Sequence, residues 1–520
     1  MNGKRIVAYF TDWSIYSRNF YPWLLNTQCL TNVMYAFVEI NASGQAQFLD
    51  TWADTGIVWN NQGDSLNDSS TDVHGCVNQL FQLKKANRHL KTSLSFGGST
   101  LSNNFSTVFS TATGRRTFVA SAINMMLQYG FDGVDLDWKF PGVNAGNGNA
   151  FCASDGANFV ALLQEFRTQF SAIAGSYPWL LSIAVSTVPS NYAGMQLAKM
   201  AALVDFFNLM SYDYAGSWSP TTGHQSNLYP YTGGFVDTNS AINAFIDQGV
   251  EPAKLVMGYP TYGRGWTGVT PDKFGLNQPY TGISTGTWEQ GIYDYKVILN
   301  TLIPAGYQVM WDATAQQSFL WSASKQEMVA FDDAITVYNK ALYVNQKGLG
   351  GLVTWEASAD AERNSSNNLI NVARTALDSF DSACNNLHYP MSVFTNINNI
   401  PNDPSVGPAP TPALPSITLP TIPPSSPVSE SIPAPISSAS MSLPTPAGTV
   451  APTPMMSAPM PVAISVPTPS PTSGSCSCGL KYIVFDNVNI DGQITFNGVT
   501  IKGQIEFVYA SGTSTPSPAP

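Results

Sequence analysis

The sequence predicts an α/β protein built on a parallel (β/α)8 barrel of the TIM class. A small α+β insertion is expected between its seventh and eighth strands, and a disordered Pro/Ser/Thr-rich linker and a short β-rich C-terminal segment after it. Three observations carry that expectation. Eight short runs rich in β-branched and aromatic residues lie between Ile6 and Trp355, separated by intervals long enough for helices. One run sets carboxylates on alternate positions near its end, a face that is costly to bury unless it opens on a functional cavity. The interval before the last run is too long for one helix and itself contains strand-like runs.

Taken in order, the runs are 6–10, 33–38, 92–96, 133–138, 181–185, 206–212, 255–259 and 351–355. Intervals such as 118–129 and 159–173 have the length and apolar spacing of helices, and parallel neighbours require such crossovers. Within 264–345, the stretches around Trp288-Glu289, 291–295, 307–312 and 318–321 read as an insertion that walls one side of the barrel mouth. The barrel domain is expected to end near 385. From 386 to 475 the chain holds more than half of its 36 Pro, interleaved with Ser, Thr and Ala, a composition that builds an extended, O-glycosylated spacer and no core. In 476–512, Val488-x-Ile490-x-Gly492-Gln493-Ile494-x-Phe496 recurs as Val499-x-Ile501-x-Gly503-Gln504-Ile505-x-Phe507 around an Asn497-Gly498 turn. That segment reads as a small hairpin in need of a partner surface or a disulfide from Cys476 or Cys478, and 513–520 as a disordered tail.

Composition excludes one class of function. Lys+Arg 23 against Asp+Glu 34 leaves a net charge of -11, which repels a polyanion, so no nucleic acid is expected as a partner. Charged residues make up only 11% of the chain where about 25% is usual. Aromatics reach 12%, with 12 Trp and 22 Tyr, which suits a neutral, ring-shaped ligand. No run approaches the roughly 20 apolar residues of a membrane span, and a monomer without a transmembrane segment is expected. Six Cys, four Asn-x-Ser sequons (Asn41, Asn67, Asn104, Asn364) and the Pro/Ser/Thr tract suit an oxidising, glycosylating secretory route. Met1 to Arg5 nevertheless leads straight into an apolar strand, with no signal-peptide core between. An extracellular or cell-wall-associated protein is expected. The Cys spacing is not that of a metal knuckle; neither metal nor cofactor is expected, and the thiol pairing stays open.

The stretch that carries chemistry is Phe131-Asp132-Gly133-Val134-Asp135-Leu136-Asp137-Trp138-Lys139-Phe140. On a strand, Asp135, Asp137 and Lys139 share one face while Val134, Leu136 and Trp138 take the other. These residues resemble the signature of glycoside hydrolase family 18, the chitinases and their relatives, whose fourth strand reads Asp-Gly-x-Asp-x-Asp-x-Glu. Ser95-Phe96-Gly97-Gly98 is similar to the family's third-strand motif, Met210-Ser211-Tyr212-Asp213 to its sixth and Gly258-Tyr259-Pro260-Thr261-Tyr262-Gly263-Arg264 to its seventh. Trp355 resembles the Trp that floors the sugar site.

The resemblance implies a ligand made of N-acetylglucosamine, chitin or its oligosaccharides, and a mechanism in which the substrate's own acetyl oxygen attacks the anomeric carbon. By similarity, Asp137 would orient and stabilise the developing oxazolinium, Asp135 would share its proton or charge, and Tyr212 would hydrogen-bond the acetyl carbonyl. Tyr9, Trp13, Phe37, Gly97, Gly98, Met210, Asp213, Tyr262, Arg264 and Trp355 are the expected substrate-binding positions; Asp213 could instead form a structural pair with Arg264.

This chain departs from the family pattern where it matters most: the acid Glu is replaced by Lys139. An ammonium begins near pKa 10.4 and adjacent carboxylates raise it, so it retains its proton. Losing general-acid help costs roughly 10²- to 10⁴-fold, and a fixed cation about 4 Å from a developing oxazolinium adds very roughly 4 kcal/mol of repulsion. Lys139 could pair with Asp137 or Asp135, contact a sugar oxygen, or do both. Ser99 stands where relatives carry Trp, and Phe140 where they often carry Tyr. The expected function is binding of chitin without hydrolysis. The alternatives are an active chitinase, with Asp213 the one replacement acid that the motifs supply, and a protein-binding or storage barrel.

Overall fold

The computed structural model describes residues 3–398, except 66–69, 145, 147, 174 and 176, together with the backbone of Glu506–Phe507. Eight parallel strands form the centre: β1 Arg5–Thr11, β2 Asn32–Ile40, β3 Lys91–Gly97, β4 Gly133–Asp137, β5 Leu180–Ser186, β6 Phe206–Met210, β7 Leu255–Pro260 and β8 Gly351–Trp355. Each pairs with the next, from Ser95 opposite Asp135 to Val353 opposite Gly258, and β1 pairs with both β8 and β2. The sheet therefore closes and leaves no edge inside the barrel. All eight strands fall on the eight runs expected from sequence.

Alternation along each strand builds two cores. On β1, Ile6, Ala8 and Phe10 face outward into the large core beneath the helices, while Val7 and Tyr9 join Met34, Ala36, Phe206, Val256 and Val353 inside the barrel. Each large apolar side chain buried in this way contributes about 1.5–3 kcal/mol. The helices Ala112–Gln128 and Asp155–Ala172 cover all but the last residue of each expected interval, and the first is capped by the Thr111 side chain, which accepts from Gly114 N.

After β7 the chain builds a second, antiparallel sheet from Tyr262–Thr267, Gln308–Asp312, Gln317–Ser322 and Glu327–Phe331, closed on Trp266, Met310, Phe319, Trp321 and Met328. The expected insertion at 264–345 needs its limits moved. The second sheet begins at Tyr262, and helix Ala334–Lys347, started by the Asp333 cap, packs against β8 as the outer helix of the last unit. The backbone of Glu506–Phe507 pairs antiparallel to Gln308–Asp312. The remainder of the C-terminal repeat, the tail and the spacer from 399 onward lie outside the described residues.

Residues 386–398, read from the sequence as the start of the spacer, instead pack on the barrel. Asn386 N donates to Asp132 Oδ1 at 2.8 Å, and one residue earlier Asn385 Nδ2 donates to the carbonyls of Lys84, Asn87 and Leu90. The Tyr389 hydroxyl accepts from Lys84 Nζ at 2.8 Å and donates to Phe131 O at 3.0 Å, and Ile397 is fully buried. Lys84 is itself buried against Asp132 at 2.8 Å. The reason is compositional: 386–398 holds a single Pro and two anchoring apolar groups, so it can order, whereas dense Pro begins only beyond it. Cys29, Cys76, Cys152 and Cys384 are free thiols. Among the described residues, no helix is long and apolar enough to cross a membrane.

Candidate active site

The ends of the strands turn their inward residues toward one groove. Asp135 is fully buried and accepts four hydrogen bonds: from Tyr9 Oη at 2.9 Å, Ser95 Oγ at 2.8 Å, Ser182 Oγ at 2.6 Å and Asn208 Nδ2 at 3.2 Å. Burial pushes its carboxyl above the ordinary range; the hydroxyls of Ser182, Ser95 and Tyr9 pull it back, and the charge of Asp137 pushes it up. Ser95, Ser182 and Asn208 had no expected role. Ser95 and Ser182 lie directly opposite Asp135 on the two neighbouring strands, and register was the signal that would have found them; Asn208 reaches it from β6, one strand further round, where it is opposite Ala184.

Asp137, one alternation further out, meets Lys139. The ammonium lies 2.9 Å from Oδ1 and 2.7 Å from Oδ2. The Lys139 backbone is fixed as well: its N–H donates to Ser102 Oγ and its carbonyl accepts from Asn149 Nδ2. The Lys139 side chain is 17% exposed and that of Asp137 only 3%, so the pair closes the inner groove.

Tyr212 and Tyr262 cross edge-to-face at 6.2 Å. Tyr262 Oη and Arg264 Nε both donate to Asp213 Oδ1, at 2.5 and 2.7 Å. Burial acts to raise the Asp213 carboxyl, but the Arg264 charge and these hydrogen bonds outweigh it and hold the group below its usual range. The Arg264 guanidinium in turn stacks 4.7 Å from the ring centre of exposed Trp218. The Tyr212 hydroxyl makes no hydrogen bond to the described residues; burial first, and then the charges of Asp137, Asp213 and Asp135, keep it protonated.

The groove has a volume of about 810 Å³, and Tyr9, Trp13, Phe37, Asp137, Lys139, Met210, Tyr212, Asp213, Tyr262, Arg264 and Trp355 all line it. Its floor is aromatic: Phe37 stacks on Trp355 at 5.6 Å, Tyr9 meets Trp355 at 5.4 Å and Trp13 meets Phe37 at 6.2 Å. Asp135 lies beneath it. Gly97 and Gly98 do not line the groove but shape it. Both have positive φ, and a Cβ on Gly98 would stand 2.6 Å from the Phe37 ring, one on Gly97 2.3 Å from Asp137 O. The glycines thus let β3 pass close enough to seat Phe37 and β4.

Sequence reading set the insertion, with Glu289 and 291–295, beside the barrel mouth, but missed the loop residues Asp12, Leu49 and Asp50. Asp12, Leu49, Asp50, Glu289 and Ile292 line the same groove. It continues into a second depression of about 540 Å³, reached past Trp13, Tyr262 and Trp355 and walled by Tyr16, Arg18, Trp288 and Asp294. Arg18 pairs with Asp294 at 2.9 Å and Trp288 Nε1 donates to the same carboxylate. No local spacing joins residues so far apart in sequence. Among the described residues no cluster of metal ligands occurs.

Comparison with known proteins agrees with this architecture. The family model for glycosyl hydrolases family 18 matches residues 5–360, the full span of the barrel. Chitinase 1 of Aphanocladium album is 40% identical over 409 residues, covering 76% of this chain and 90% of the relative. Endochitinase 1 of Metarhizium robertsii is 38% identical over 398 residues, with 75% and 89% covered. Among solved structures, the catalytic domain of chitinase B from Arthrobacter superposes with a TM-score of 0.66 at 29% identity, covering 72% of this chain and 95% of that one. A family match over the whole barrel, relatives aligned over most of their length and a solved catalytic domain of the same fold lead to one conclusion: the chain belongs to glycosyl hydrolase family 18.

Proposed function

We propose that the protein is a catalytically inactive family 18 member that binds chitin, or oligosaccharides of N-acetylglucosamine, without hydrolysing them. The observation that carries this reading is the grip of Lys139 on both oxygens of Asp137. A general acid must release a proton at working pH, and an ammonium held between a carboxylate's two oxygens is a poor source. The same contact leaves Asp137 neutralised, so less negative charge remains to stabilise an oxazolinium.

Binding draws on groups that Lys139 leaves untouched. The stacked floor of Phe37 and Trp355 offers planes for the C–H faces of sugar rings. Among the described residues the Tyr212 hydroxyl has no hydrogen-bond partner, and it is available to an acetyl carbonyl. The low charge of the chain and its Pro-rich spacer suit a secreted, monomeric binder attached to or projected from a chitinous wall, needing no cofactor and able to sequester fragments from a competitor. Isothermal titration with N-acetylglucosamine oligomers tests the reading: heats at the level of buffer dilution remove it.

A second reading, hydrolysis, is favoured by the names of the two fungal relatives. The Asp213 carboxyl is a poor acid for it, because Arg264 and Tyr262 hold it in its charged form. Asp12 is the better candidate: it lines the groove, and burial pushes its pKa up to about 7. Release of reducing ends that disappears in Asp12→Asn would select this second reading.

A further inference from the structure

We infer that Asn364 is a site of N-linked glycosylation, and that the fold distinguishes it from the sequons at Asn41 and Asn104. The inference concerns the surface of the barrel and does not depend on whether the groove cuts or only holds its ligand.

Three sequons fall within the described residues, and they differ in what the amide and the hydroxyl two residues on are doing. Asn104 Nδ2 donates to Ile40 O at 2.9 Å, which ties the side chain to the end of β2. The hydroxyl of its sequon belongs to Ser106, which is 5% exposed and donates to Asp155 Oδ1 at 2.8 Å; Phe105 between them is fully buried. A sugar on Asn104 has to occupy space that the protein fills. At Asn41 the side-chain oxygen accepts from the N–H groups of Ser43 and Gln45 and from the Ser43 hydroxyl, and Nδ2 donates to Gln47 Oε1 at 3.0 Å. The amide and hydroxyl of that sequon are engaged with each other inside the turn.

Asn364 is the opposite case. It is exposed, as is Ser366, and neither side chain makes a hydrogen bond to the described residues. The backbone around it is held while the side chain is not: Ser365 N donates to Glu362 O at 2.8 Å, and Asn371 Nδ2 donates to the carbonyls of Arg363 and Ser365. Arg363 Nη1 donates to Trp23 O at 3.1 Å, which ties the residue before the sequon to the segment that follows β1.

In the modification, Asn364 Nδ2 bonds to C1 of the first sugar of a polyprenyl-pyrophosphate-linked oligosaccharide. The C1–O bond breaks, the pyrophosphate leaves with the electron pair, and one amide proton passes to the transferase's base. The remaining N–H disturbs no existing contact at Asn364, whereas at Asn104 the new bond competes with Ile40 O.

The test is to produce the full chain through the secretory pathway of a yeast host and release glycans enzymatically in 18O-water, which converts each glycosylated Asn to labelled Asp. The Asn364 peptide is expected to carry the label and the Asn104 and Asn41 peptides to be unlabelled. Asn364→Gln should lower the intact mass by one glycan without changing secretion. An unlabelled Asn364 peptide overturns the inference, and so does a label on Asn104 equal to that on Asn364.

Discussion

Lys139 Nζ stands 2.7 Å from Asp137 Oδ2 and 2.9 Å from Oδ1, so the outer of the two β4 carboxylates is held by a cation two residues further along its own chain. Beneath it Asp135 is held by the hydroxyls of Tyr9, Ser95 and Ser182 and the amide of Asn208, with no cation among its donors from the described residues. The two carboxylates thus differ in partner, and a single substitution can change one without the other.

Lys139→Glu is expected to raise turnover of N-acetylglucosamine oligomers by roughly 10²- to 10⁴-fold over the parent, the range of general-acid help. Lys139→Ala serves as the control. Recovery is expected to be partial because Ser99 supplies no ring at the groove. Reducing-end assays of the three proteins decide it, and equal rates in all three would show that other parts of the machinery are also missing.

Removing one aromatic plane should cost affinity without unfolding the barrel. Trp355→Ala deletes the ring that stacks on Phe37 and meets Tyr9, a loss of about 2 kcal/mol or roughly thirtyfold in Kd. Titration calorimetry with the same oligomer checks it, and circular dichroism confirms the fold.

The packed C-terminal segment depends on a buried charge. Lys84→Ala leaves Asp132 without its cation and takes a donor from Tyr389, and a loss of about 3–5 kcal/mol is expected. Urea unfolding curves measure this, and limited proteolysis should cut first between 386 and 398.

A pH dependence follows from Asp54, which Tyr35 Oη hydrogen-bonds in the core. Burial raises its pKa to about 8 from an ordinary 3.8. The folded state therefore binds a proton that the unfolded state has released, and the stability this provides is complete below pH 3.8 and lost as pH rises through about 8. Asp54→Asn should flatten the fall in stability between pH 5 and 8 without abolishing folding. Urea midpoints across that range provide the measurement; an unchanged slope would assign the fall to other groups.

The sequence by itself determined the eight strands, the alternation that turns Asp135 and Asp137 inward, and the presence of Lys139 beside them. Each of these is a local property: a period of two along a strand, or the identity of one side chain. It also drew together Tyr212, Asp213, Tyr262 and Arg264, although it left open whether Asp213 serves the ligand or Arg264. Only the tertiary structure decided that Asp213 is held by Arg264 and Tyr262, that Asp137 and not Asp135 takes the ammonium, and that Ser95, Ser182 and Asn208 surround Asp135. It alone moved the limits of the insertion and fixed 386–398 onto the barrel. Those outcomes depend on register between strands and on partners hundreds of residues apart, such as Lys84 and Tyr389, and no period within the chain encodes such a distance.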